Sequence, residues 1–341
     1  MDGEPGAGPH QLTVANLRTL NQQVKQFNLL RHRKAMASNI LVLGAGELGL
    51  AVLQALSRHP KRSHARITVL MRQASLDSAA PDKKKLVQQI RALDVRFEAA
   101  DVVQASVSQL AAVFAKYDTV VSCNGMGLPP GTQTKLCEAA LEAKLPRYFP
   151  WQFGMDYDAI GPGSSQDLFD EQLLVRGMLR AQDATDWLIV STGLFMSFLF
   201  VPEFGVVDLA SRTVRALGSW DNRITLTTPD DIGRVTAELV LDSQGLRNQC
   251  VYVAGDTLTY RQLADLLDER FGIKFCRELW DVEELAKQMR EEPNNGYVKY
   301  RDTFAQGKGV AWDQDKTVNS ARGIEMTDVK AYLAAMDVKL E

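Results

Sequence analysis

Residues 40–43, Ile-Leu-Val-Leu, run straight into Gly44-Ala45-Gly46-Glu47-Leu48-Gly49, and from Glu47 to Arg58 apolar residues recur three and four apart. A short apolar strand that turns through G-x-G-x-x-G into a helix leaves a chain few ways to fold. Gly44 permits the tight turn, Gly46 lets another molecule approach the backbone, and Gly49 permits close packing of helix on strand. The first helical turn, Glu47, Leu48 and Gly49, presents amides without intrahelical partners at the positive end of the helix dipole, a cradle for a pyrophosphate. The competing reading is a glycine-rich turn that binds nothing. A second strand on schedule, Arg66 to Met71, favours the dinucleotide site.

The pattern continues. Val95 to Ala99, Thr119 to Cys123, Arg147 to Pro150 and Trp187 to Ser191 bring the predicted strands to six, counting Asn39 to Leu43, with helical segments such as 107–116 and 132–143 between them. Strands alternating with helices over this length predict an α/β fold with a doubly wound parallel Rossmann sheet spanning 39–192. NAD sites commonly carry Asp or Glu at the end of the second strand, about twenty residues past the glycines. Here Arg72 stands at that point and the next carboxylate is Asp77. A guanidinium pairs with the 2′-phosphate of NADP, so NADP(H) is the expected cofactor. Asp101, Asn124 and Gly125 fall at carboxyl ends of strands, where ligands of open α/β sheets bind.

Beyond Thr192 the alternation stops. Residues 193–341 are expected to form a smaller substrate or cap domain, with 250–254 a strand that returns to the main sheet. Arg212 to Leu217 and Arg223 to Thr227 predict a hairpin. Thr228-Pro229-Asp230-Asp231 reads as a helix start for 229–242, and capping-box patterns open helices near 260–271 and 282–292. Residues 1–38 are basic after Glu4, with Leu17, Leu20, Val24 and Phe27 at helical spacing. They are read as an amphipathic extension dispensable to the fold, Met36 being an alternative start.

Composition excludes several classes. A net charge of −3 argues against a broad basic face, and so against a nucleic-acid partner. The longest apolar stretch, Trp187 to Val201, is interrupted by Ser191, Thr192, Gly193 and Ser197 and is too short to span a bilayer. No membrane partner is expected, and the cytoplasm is the expected location. Cys123, Cys137, Cys250 and Cys276 are widely spaced, with no metal-ligand pattern, so no metal site is expected.

With these segments in hand, the chain resembles the NmrA-like branch of the atypical short-chain dehydrogenases, in particular the isoflavone reductase-like proteins. The glycine loop, VVSCNGMG (120–127), TQTKLCEAALEAKLPRYFPWQFGMD (132–156) and WLIVSTGLFMSFLF (187–200) carry the likeness. The most specific piece is Arg147-Tyr148-Phe149-Pro150-Trp151-Gln152-Phe153-Gly154, which is similar to the family's R-F-x-P-S-E-F-G with Trp151-Gln152 in place of Ser-Glu. By this resemblance Phe153 lies against the nicotinamide. The resemblance also implies a lysine about twenty residues on; Gln172 occupies that position, and no tyrosine is followed four residues later by lysine. The implied activity is NADPH-dependent reduction of a small aromatic or conjugated substrate, in a pocket of Trp151, Phe153, Gly154, Phe195 and Phe198. Gln172 would orient a substrate oxygen, and Tyr157 is a candidate proton donor. The alternative is a non-catalytic NADP sensor that regulates a protein partner. Either would be a monomer or homodimer.

Overall fold

The computed structural model describes residues 38–338 and residue 340, so the helix predicted within 1–38 lies outside the described residues. Strand β1 (Ser38–Leu43) alternates its apolar side chains between two cores. Ile40 and Val42 face one, Leu41 and Leu43 the other, and all four are fully buried. A strand buried on both faces belongs at the centre of a sheet covered on both sides.

The main sheet contains β1, β2 (Ala65–Met71), β3 (Arg96–Ala99), β4 (Thr119–Ser122), β5 (Arg147–Phe149), β6 (Asp186–Ser191) and Gln249–Tyr252, in the spatial order Gln249–Tyr252, β6, β5, β4, β1, β2, β3. The six predicted strands are all present. The pairs β1–β4, β4–β5, β5–β6 and β2–β3 run parallel, and Gln249–Tyr252 returns to pair parallel with β6. The order reverses at β1, which lies between β4 and β2, and this opens a crevice at the carboxyl edge of the strands.

Helix α1 (Glu47–Arg58) covers one face together with Pro229–Leu241, whose Gly233 lets the two backbones close up. Helices α2 (Val107–Phe114), α3 (Thr132–Glu142) and α4 (Asp167–Arg180) cover the other. After Ser191 the chain adds two three-stranded sheets and a third core, which recruits Met155, Tyr157 and Phe169 from the earlier part of the chain.

The hairpin expected at 212–227 does not form. Thr213–Leu217 pairs with Cys276–Trp280 and Val207–Asp208, whereas Arg223–Thr227 pairs with Asp256–Thr259 and Leu194–Phe195. The link between them is claimed from outside: Gly218 N–H donates to Trp280 O at 2.8 Å, and Asn222 Nδ2 donates to both Leu217 O and Ala305 O. Each strand instead has one partner distant in sequence, Cys276–Trp280 or Asp256–Thr259, and a second edge taken by Val207–Asp208 or Leu194–Phe195. Two of the three capping patterns form as expected, Thr228 accepting from Asp231 N–H and Thr259 and Gln262 forming a reciprocal box; at Asp281 the aspartate accepts from Glu284 N–H but the return bond of a box is not made.

Candidate active site

The glycine loop sits at the crevice. Gly44 has φ +87°, its N–H donates to Leu70 O at 3.1 Å, and a Cβ there would stand 2.8 Å from Asn124 Cβ. A Cβ on Gly49 would collide with the carbonyl oxygen of Gly44, which is why the helix can start so close under the loop. Gly46 is the N-cap of α1, no side chain caps this helix, and a Cβ on Gly46 would point into open space. The amides of the first turn, Glu47 to Gly49, are thus available to an external anion. At α3 the matching amides are taken, because Glu171 Oε1 accepts from Gln133 N–H at 2.7 Å and Thr134 N–H at 3.0 Å. Of these two helix starts at the strand ends, only the one after β1 is left open, and its open face fits the phosphates of a dinucleotide.

Arg72 lies just past β2 and is exposed; its carbonyl accepts from Ser75 N–H at 2.9 Å and Leu76 N–H at 3.3 Å, while its guanidinium makes no hydrogen bond or ion pair with a described residue. One oxygen of Asp101 holds its own turn, accepting from Val103 N–H at 2.8 Å and Gln104 N–H at 3.2 Å. Asn124 is anchored through its carbonyl to Gln133 Nε2 at 3.1 Å, while its side-chain oxygen is buried without a partner among the described residues.

A cavity of about 510 Å³ opens beside the loop. Gly46, Glu47, Leu48, Asn124 and Gly125 line it on the sheet side, and Trp151, Phe153, Gly154 and Tyr157 along the segment after β5. Phe195 and Phe198 close the far wall, where Phe198 packs 4.9 Å from Phe204 and 5.7 Å from Tyr300 between ring centroids. Eleven of the predicted residues line this cleft, whereas Gly44, Gly49, Arg72 and Asp101 do not. Sequence reasoning missed Met126, Ser197 and Tyr300, which also line it. Tyr300 comes from helix Gly296–Ala305. Its one local signal is its spacing three residues from Tyr297, and nothing in that spacing points to a pocket.

The two candidate proton-handling residues separate. Tyr157 is buried yet reaches the cavity wall, its hydroxyl resting over Gly154, where a Cβ would collide with it. Burial pushes its phenol up to about 12, opposed by the Arg176 guanidinium 5.0 Å from the ring centroid and by the Met155 backbone. The hydroxyl is therefore protonated at neutral pH and can donate. Gln172 does not reach the cavity wall. It is 1% exposed, and neither atom of its amide has a partner among the described residues. Its backbone oxygen accepts from Gln152 Nε2 at 2.8 Å, and Arg176, four residues along the same helix face, donates through Nε to Gln152 Oε1 at 2.7 Å. Residue 172 thus meets this cluster through its backbone oxygen, and its side chain is buried outside the cavity lining.

Arg176 is 1% exposed and pairs with Asp158 at 2.7 Å and Asp156 at 3.5 Å. Arg180, followed by Arg176, draws the Asp158 carboxyl down to about 2, against partial burial. Among the described residues no cluster of His, Cys, Asp and Glu could hold a metal ion, and no helix is long and apolar enough to cross a membrane.

The family model described as NmrA-like matches residues 36–333. An NmrA-like family domain-containing oxidoreductase of Gibberella moniliformis is 58% identical over 299 residues, covering 87% of this chain and 98% of that protein. Among solved structures, isoflavone reductase superposes with a TM-score of 0.70 at 20% identity, over 87% of this chain and 99% of the other. AtPrR2 with NADP+ and (+)-pinoresinol gives 0.70 at 18% identity, over 87% and 98%.

Proposed function

This chain belongs to the NmrA-like family, and we propose that it is an NADPH-dependent reductase of a small aromatic or conjugated compound, acting in the cytoplasm. The observation that carries this reading is convergence at one strand edge. An uncapped helix start and an aromatic-lined cavity with a protonated phenol in its wall meet there, and Arg72 follows β2 at the same carboxyl edge. The Gibberella relative's name as an oxidoreductase and the NADP+ held by AtPrR2 support it.

The amides of Glu47 to Gly49 hold the pyrophosphate, and Arg72 takes the 2′-phosphate. Bound NADPH supplies a hydride, which is chemistry of the cofactor. The protein's part is orientation and shielding. Phe153 would back the nicotinamide, while Trp151, Phe195 and Phe198 would hold a flat substrate and keep water out. Tyr157 Oη would donate the proton to a substrate oxygen placed against it. The part of the chain before residue 193 holds the cofactor, and the part after it caps the substrate.

To test this, purified protein is mixed with NADPH and a panel of aromatic aldehydes, enones and quinones while the nicotinamide absorbance band is followed. Oxidation above the rate without protein is expected; none across the panel would refute the reading. Gln172, in place of the lysine, favours a second reading: a NADP-dependent regulatory protein. That reading predicts partner binding that differs between NADP+ and NADPH, with no turnover.

A further inference from the structure

Trp151 follows β5 and Gly125 follows β4, so the two stand side by side at the carboxyl edge of adjacent parallel strands. The face of the indole covers Gly125: a Cβ there would stand 1.9 Å from Cδ2, 2.1 Å from Cε3 and 2.3 Å from Cε2. Any other residue at 125 would lift the ring off its seat. The backbone beneath Trp151 is also fixed. Its neighbour Gln152 is 1% exposed and pinned at both ends of its amide, to Gln172 O at 2.8 Å and from Arg176 Nε at 2.7 Å. The indole is therefore seated on Gly125, its neighbour in the chain is fixed by a buried amide–guanidinium clasp, and Trp151 lines the cavity.

We propose that Trp151, seated on Gly125, is the residue that sets substrate shape: it admits one flat ring system stacked on the indole and excludes rings carrying out-of-plane bulk. The cavity of about 510 Å³ must hold the nicotinamide end of the cofactor as well as the substrate, and a rigid bicycle on its floor takes space that a serine there would leave free. An indole face also attracts flat aromatics in offset or edge-on packing. Where turnover is concerned the proposal rests on the reductase reading. Ligand binding in the presence of NADP+, which carries no hydride, tests it separately.

The experiment compares wild type, Trp151→Ser, Gly125→Ala and the double variant, each loaded with NADP+, by calorimetric titration with 1,4-naphthoquinone and 2,6-di-tert-butyl-1,4-benzoquinone. NADPH oxidation with the same two compounds is measured in parallel. Wild type is expected to bind the flat ligand and discriminate against the bulky one. W151S should weaken the flat ligand about two- to tenfold, the range for losing one aromatic pair. It should strengthen the bulky one by about tenfold or more, as expected when a steric exclusion is removed. G125A displaces the indole into the cavity and should weaken the flat ligand by about tenfold, and the double variant should behave like W151S alone, the signature of two residues acting through one contact. Circular dichroism on each variant separates misfolding from loss of the seat, and G125A decides the question if W151S does not fold. If the preference for flat over bulky is the same in wild type and W151S, or if G125A and W151S act additively, the proposal is overturned. If the binding preferences shift as stated while no variant oxidises NADPH, the shape filter stands and the reductase reading fails. If wild type binds neither ligand, the filter is refuted as well.

Discussion

Arg72→Ala tests the cofactor assignment most directly, because the structure makes it a clean deletion. Arg72 is exposed and unpaired among the described residues, so its removal breaks no internal contact. Folding stability should stay within about 0.5 kcal/mol. At this exposure the guanidinium attracts a unit charge 4 Å away by about 1 kcal/mol, and a phosphate monoester carries about −1.5 to −2 charges near neutral pH. A deletion cost of about 2 kcal/mol follows, which converts to roughly 30-fold weaker NADPH binding at 1.4 kcal/mol per decade. NADH, which lacks the 2′-phosphate, should bind the variant and the wild type alike. Titration of NADPH and NADH fluorescence on both proteins reads this out. Salt supplies an internal control. Raising ionic strength from 0.1 to 1 M shortens the Debye length from about 10 to about 3 Å, so the wild-type preference for NADPH should shrink while that of R72A hardly changes. Equal losses for the two coenzymes would mean that Arg72 serves the shared part of the molecule. No change for either would mean that the 2′-phosphate is recognised elsewhere.

Tyr157→Phe should lower kcat by about 10²- to 10⁴-fold, the usual yield of a positioned proton donor, with NADPH affinity unchanged; full activity would remove Tyr157 from the mechanism. Since burial holds this phenol near 12, wild-type turnover should show no downward limb from its ionisation below about pH 10. Gly49→Ala puts a methyl group against Gly44 O. Thermal denaturation should reveal a loss of about 1–3 kcal/mol together with weaker binding of both coenzymes. Arg176→Met leaves Asp156, Asp158 and Gln152 facing an apolar side chain. The cost should be about 3 kcal/mol, the low end for breaking a buried pair, because both carboxylates retain some contact with water; urea unfolding checks it. The folded Asp158 carboxyl lies near 2, below its unfolded value of about 3.9. Its contribution is therefore complete above about pH 4 and lost as pH falls toward about 2. Asp158→Asn should flatten the acid limb of the stability curve in that window, and an unchanged limb would refute the assignment.

The amino-acid sequence alone was enough for everything that depends on residues close together in the chain. The six strands, the glycine loop, the cap at Thr228 and the box at Thr259 and Gln262 are local patterns, because a turn, a cap or an alternating face is satisfied within a few residues. The pocket residues came from the family resemblance, and they too lie close together in the chain: Trp151, Phe153, Gly154 and Tyr157 follow one strand end, and Phe195 and Phe198 another. What only the tertiary structure decided were the contests between a local partner and a distant one. Thr213–Leu217 and Arg223–Thr227 look like a hairpin until Cys276–Trp280 and Asp256–Thr259 take their edges. The start of α3 looks as open as that of α1 until Glu171 fills it from another helix. Gln172 stands at the spacing of a site residue, but it is buried outside the cavity lining and its backbone oxygen is taken by Gln152. The indole resting on a bare glycine joins two strand ends that are neighbours in the sheet and 26 positions apart in the chain. Spacing along the chain specifies which way a side chain leaves its own element, whereas burial and pairing energies from elements far away in sequence determine what that side chain meets.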